Sequence, residues 1–570
     1  MNAFARTLGL TCLLCACSGT SVTPDAPTTP ALRPQEAVQA FLAEYDRQLA
    51  EYGTAASLAA WDAYTSGDPA HFATYAAHTE RLMHFHSDAA RLAQIDAFLD
   101  HSEALDPLQV RALHVARLAH LEHQLPAQTL AELVAASTAI EQVFNTFRGT
   151  YQGQPQPNNT LLGILANATD EEERHQAWLA LKEVGHAVAP QLIALAKLRN
   201  AGATQLGFAN YWDMQLRMQD FDPAELVALF EEIDRVTREP FARVKAEIDA
   251  EVAQRLGLTP RELMPWHYDN PFFQSPPPAA ALNLDTFFEH RPKEEIVEIA
   301  RAFFAHIGTP IDAVIANSDL WEREGKDQHA YAFSIDRADD VRTLLNIRPT
   351  ADWMDTMLHE QGHAIYDLGV DRSLPYLLRA PAHAFTTEGI AMAFGALARD
   401  PAWLATFAKV PIDAIEAVAP AIFEQQRREQ LLFARWTLVM FNFERALYED
   451  PDQDLNRLWW DMVERFQGLR RPLDRDAADW ASKPHFTIAP VYYHNYMLGE
   501  VFAAQLRATL GDPSDAALPW FERPNLARHL AERVFAPGMR LPWSDFVTAA
   551  TGQPLSPVFF VAELTPPAAQ

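Results

Sequence analysis

The run Leu358-His359-Glu360-Gln361-Gly362-His363-Ala364 sets two imidazoles and a carboxylate at a spacing that could do chemistry. On a helix His359 and His363 stand one turn apart on one face, about 6 Å along the axis and roughly 40° around it. Both rings can then share one metal ion. Glu360, beside the first imidazole, is placed to hold and deprotonate the attacking water rather than to bind the metal. A catalytic zinc takes three protein ligands and keeps a fourth position open. Glu388, in Thr386-Thr387-Glu388-Gly389-Ile390, lies 25 positions after His363 and is followed by the apolar run Ile390–Phe394. That context reads as a buried helix and makes Glu388 the third ligand of a His-His-Glu site for one zinc per chain. The bland alternatives are two surface histidines and a solvated glutamate. Glu464 and Glu500 are less attractive ligands, because spacing says nothing about residues so far along the chain.

These side chains need a helix beneath them. From Asp352 to Leu368 the apolar residues Met354, Met357, Leu358, Ile365 and Leu368 recur at helical spacing. Just upstream, His329 to Arg348 breaks that period with two short extended stretches around Arg337-Ala338-Asp339-Asp340, which predicts a small hairpin or sheet before the metal helix. Elsewhere helical periodicity dominates, as in Val38, Phe41, Tyr45, Leu49 and in Leu226, Leu229, Phe230, Ile233, Val236. Gln152–Pro157, Ser275–Pro278 and Arg470–Pro472 read as loops. The expected fold is mainly α, one large helical unit over 35–570 with a minor sheet.

With 570 residues and 49% apolar side chains, a large core is within reach. Lys and Arg number 46 against 75 Asp and Glu, a formal charge of -29, which argues against nucleic-acid or anionic-membrane partners. The first 17 residues carry Arg6, an apolar stretch Leu8–Leu14 too short to span a membrane, and then Leu14-Cys15-Ala16-Cys17. That ending resembles the lipobox of bacterial lipoproteins, which implies cleavage before Cys17, lipidation of its thiol and residence in the cell envelope. An ordinary secretory peptide cleaved after Ala16 is the alternative, and both export the chain. Residues 18–34 are Pro- and Thr-rich and read as a flexible tether. All three cysteines lie in the leader, so no disulfide is expected in the mature chain.

Several motifs in one order resemble two groups of gluzincin peptidases, the angiotensin-converting enzyme family of peptidyl-dipeptidases and the thimet oligopeptidase and oligopeptidase F families. His329-Ala330-Tyr331-Ala332-Phe333 resembles the converting-enzyme strand that pairs with substrate backbone, with His329 and Ala330 as binding residues. Arg465-Phe466-Gln467-Gly468-Leu469 and Lys483-Pro484-His485 resemble later segments of that family. By this resemblance Lys483 grips the peptide's terminal carboxylate and His485 binds substrate or transition-state oxygen. In Tyr492-Tyr493-His494-Asn495-Tyr496 the match gives Tyr493 to the carboxylate and Tyr496 to the oxyanion, with the register open by one residue and Tyr492 as the alternative. The family's fold implies a deep central cleft, short peptide substrates and a monomer.

The departures matter too. Where the family has a carboxylate-binding Gln after a Trp, this chain reads Trp266-His267-Tyr268-Asp269, so that contact is expected to be lost or replaced. The family's chloride-binding Arg is Asn495 here. The Asp that orients a ligand four residues after the third is Met392, leaving Asp355 or Asp367 as substitutes or as solvated charges. The glutamate spacing fits the thimet type, which keeps an endo-acting oligopeptidase open beside release of C-terminal dipeptides. Aminopeptidases place a Glu nearer, but position 382 is Ala382 and no Gly-x-Met-Glu-Asn occurs. A non-catalytic zinc- or peptide-binding surface lipoprotein would not need Glu360.

Overall fold

The computed structural model describes residues 34–277, 282–510, 515 and 517–565. Cys17, the signal segment and the tether up to residue 33 lie outside these. The chain is 70% helical, and one continuous apolar core runs from Val38 in the first helix, Pro34–Ser66, to Phe560 in the last, Val558–Glu563. The periodic residues fall as expected: Val38, Tyr45 and Leu49 are buried in the first helix, and Leu226, Phe230 and Ile233 in Pro223–Leu256. Among the described residues no helix is long and apolar enough to cross a membrane.

Among the described residues two antiparallel hairpins interrupt the helices. β1 (Gly149–Tyr151) pairs with β2 (Gln154–Gln156) where a loop is expected from the sequence. Gln152 and Gly153 both take positive φ, 50° and 75°, which turns the chain tightly enough for its flanks to pair. β3 (Tyr331–Ser334) pairs with β4 (Val341–Leu344), and Arg337 takes φ 50° in the turn between them. His329 and Ala330 precede β3 rather than belong to it.

Three helices build the site. The metal helix, Ala351–Gly369, starts where the Thr350 side chain accepts the Trp353 N–H, and it buries Met354, Met357, Leu358 and Ile365. The glutamate helix, Ala384–Gly395, starts at His383, and the tyrosine helix, Tyr493–Thr509, at Tyr492. Their crossings rely on missing side chains. A Cβ on Gly362 would sit 2.9 Å from Ala391 Cα. One on Gly389 would sit 2.7 Å from the Phe502 ring and 2.8 Å from the Gly499 carbonyl oxygen. Gly499 in turn lies against Met392 and the Glu388 Cβ, so small residues let all three backbones approach one point.

Candidate active site

At that point His359, His363 and Glu388 converge. The two Nε2 atoms lie 3.8 and 4.0 Å from Glu388 Oε2, and the three donor atoms lie within 4.8 Å of one another. The separations are too long for hydrogen bonds and short enough for one ion to draw the atoms together. Among the described residues this is the sole group of three such side chains that could hold a metal. His363 Nδ1 meets Thr387 Oγ1 at 2.6 Å, which fixes the ring and leaves Nε2 free toward Glu388. Burial pushes the His359 and His363 imidazoles down to about 4 and about 3, so both stay neutral, as metal ligands must be. Two neutral imidazoles and a carboxylate fit zinc.

The orienting contact on His363 is therefore a threonine hydroxyl, next to the glutamate ligand, and neither aspartate proposed for it. Asp355 faces Arg399 at 3.6 Å and abuts Gly395. Asp367 is pushed up to about 7 by burial, with Arg337 and Arg372 opposing. Met392 packs on Gly499.

Glu360 is buried beside the ligand set. Burial first, and then the Glu388 charge, push its carboxyl up to about 8, while a hydrogen bond from the Ala332 N–H opposes them. The hairpin thus reaches the metal helix through β3, and Gln361 Nε2 donates to Thr343 Oγ1 of β4 at 3.1 Å. The strand contact to the site falls at Ala332. The His329 side chain is 82% exposed, with its ring 3.2 Å from Asp327, and it does not reach Glu360 in this way.

A second cluster surrounds Lys483. Its ammonium donates to Gln274 Oε1 at 2.8 Å and lies between the rings of Phe272, Trp436 and Tyr493, at 5.3, 5.1 and 5.7 Å from their centroids. Burial lowers Lys483 to about 8. A glutamine that does not directly follow Trp266, Gln274, thus stands beside Lys483. Trp266 and His267 serve a different purpose: their carbonyls anchor Arg174 at 3.0 and 2.8 Å. Gln274 follows the aromatic pair Phe272-Phe273, a signal the sequence does carry. Gln467 holds that segment by donating to the Phe272 and Phe273 carbonyls at 3.0 and 2.9 Å, giving the Arg465–Leu469 motif a structural task.

Ring contacts join the two clusters. His485 lies 5.1 Å from Tyr493, and Tyr493 lies 5.4 Å from Tyr496. The Tyr493 hydroxyl accepts Trp436 Nε1 at 2.8 Å, on the Lys483 side. The Tyr496 phenol is raised by burial and by the nearby Glu388 charge. Tyr492 feels the same charge, pushed up to about 12 by burial, Glu388 and Tyr496. His485 is held near 4 by burial and Lys483, and its Nδ1 is buried without a protein hydrogen-bond partner. Arg199 fixes the residues after it by donating to the Phe486 and Thr487 carbonyls at 2.6 and 2.9 Å.

A helical chain with a His-His-Glu donor set and a buried glutamate beside it has the makings of a metallopeptidase of the gluzincin kind. A family model described as angiotensin-converting enzyme matches residues 33–267 and 277–556. The chain belongs to that family of metallopeptidases. No curated protein matches it.

Proposed function

We propose that the chain is a zinc peptidyl-dipeptidase that releases C-terminal dipeptides from short peptides. The observation that carries this reading is the Lys483–Gln274–Tyr493 group, a buried cation and two polar side chains joined to the metal centre by the His485–Tyr493–Tyr496 contacts. An ammonium held among aromatic rings is a receptor for a carboxylate. His359, His363 and Glu388 would hold the zinc ion, which supplies Lewis acidity and brings the pKa of a water toward ~7.

The remaining work falls to side chains of this chain. Glu360 takes the proton of the attacking water and delivers it to the leaving amine; burial, which raises its carboxyl, strengthens it as the base. Tyr496, a neutral phenol, and His485, a neutral imidazole, donate to the carbonyl oxygen as it gains charge. β3 pairs with a strand on one side only, and its other edge suits an extended peptide, whose backbone pairs without regard to side chains. On the N-terminal sequence alone, the enzyme is also proposed to be exported and anchored through lipid on Cys17, and on the family resemblance to be a monomer.

Product masses from one peptide, as its free acid and as its C-terminal amide, test the reading. Loss of a dipeptide from the free acid and at least ~10-fold slower cleavage of the amide are expected, since a charged hydrogen-bonded contact contributes about 1.5–3 kcal/mol. Equal rates with internal cleavage would replace it by an endo-acting oligopeptidase of the thimet or oligopeptidase F type.

A further inference from the structure

The turn before the tyrosine helix is strained and held from two sides. Val491 takes φ 52°, a left-handed conformation unusual for a β-branched residue, and it is 1% exposed. Its N–H donates to Glu444 Oε1 at 2.8 Å, and its carbonyl accepts Gln219 Nε2 at 2.9 Å. The Gln219 Oε1 accepts Asn495 Nδ2 at 2.8 Å and meets His494 Nε2 at 3.0 Å. No side chain caps the tyrosine helix; these bonds fix its first turn instead. The backbone carbonyl of Gln219 also meets His383 Nε2 at 2.6 Å, and His383 caps the glutamate helix. One residue thus ties the helix of Glu388 to the helix of Tyr496. Its neighbour Asp220, at φ 62°, is itself held by Arg111 at 2.7 Å and His114 at 3.0 Å, so the hub rests on a fixed turn.

We propose that Gln219, supported by Glu444, is a positioning residue for hydrolysis: it locks the Val491 turn and so aims the Tyr496 hydroxyl at the reacting carbonyl. The proposal rests on Tyr496 as oxyanion donor. A strained residue persists only where its surroundings over-determine it, and the side chain it aims is fixed in return.

A double-mutant cycle separates positioning from mere structure. For Gln219→Ala, kcat is expected to fall at least ~10-fold with KM within about 3-fold and zinc content unchanged. In a Tyr496→Phe background the same change is expected to cost less than ~3-fold, because there is no hydroxyl left to aim. Asn495→Ala, which cuts one bond of the hub, should show the same pattern and serves if Gln219→Ala does not fold. Glu444→Gln keeps the acceptor for the Val491 N–H and is expected to retain kcat where Glu444→Ala loses it. A loss equally large in the Tyr496→Phe background, or one confined to KM, overturns the positioning role. Wild-type turnover by Tyr496→Phe overturns the oxyanion assignment itself, and is read before Gln219 is touched.

Discussion

Glu360 sits between opposing influences, burial and the Glu388 charge on one side and the Ala332 N–H on the other. Replacing it with Gln keeps the shape and removes the proton acceptor. Glu360→Gln is expected to bind zinc at wild-type stoichiometry and to lose at least ~100-fold in kcat; metal analysis alongside turnover checks both halves. Lys483 gives a prediction in pH. Its ammonium is lowered from 10.5 to about 8 by burial, so it is charged below that value and loses its charge as pH rises through it. The kcat/KM for free-acid peptides should therefore fall above pH ~8, the limb that reports free-enzyme groups, while C-terminal amides show no such limb. A limb shared by both peptides would take Lys483 out of carboxylate binding. Gln274 shows what residue types alone leave open: its identity is plain in the sequence, but its contact with Lys483 joins positions 209 apart.

Among the elements, the glutamate helix is the most constrained, because it is pressed between the metal helix and the tyrosine helix at glycines. Gly389→Ala would drive a methyl into the Phe502 ring and the Gly499 carbonyl, and the second of these cannot move aside. We expect a loss of about 1–3 kcal/mol, as for overpacked cores, and weaker zinc binding, since Glu388 is the adjacent residue. Gly163→Ala is the contrasting case: a Cβ there meets nothing within 4 Å inside the helix Asn158–Asn167. Helix propensity then favours alanine by up to about 1 kcal/mol. Thermal melts of the pair, with zinc affinity by chelator competition, check the contrast. The hairpins show the same dependence on local backbone: Gln152-Gly153 makes a turn that pairs its flanks, a feature a loop-rich composition conceals.

For the whole molecule, the metal ligands come from two helices that share one core, so an ion there joins elements as well as performing chemistry. Removing it should destabilise the fold. An ion present at ~100 times its dissociation constant contributes about 2.7 kcal/mol, and each kcal/mol moves Tm by only about 1 °C in a chain this large, because the unfolding entropy grows with length. A chelator is expected to lower Tm by roughly 2–3 °C, reversed by zinc and not by magnesium; an unmoved Tm would count against His359, His363 and Glu388 as one site.

The sequence by itself determined the mainly helical fold, the hairpin ahead of the metal helix, and the identity of the metal-ligand candidates. Those features are periodic or local: a 3.6-residue apolar repeat and a four-residue histidine spacing carry their own geometry. Tertiary structure alone decided that Thr387 rather than an aspartate holds His363, that Gln274 completes the Lys483 cluster, that Ala332 touches Glu360, and that Tyr492 and Tyr496 both lie near the Glu388 charge. The first and the last of these join helices whose approach is set by close packing at Gly362, Gly389 and Gly499, and no local period records which distant backbones a missing Cβ will admit.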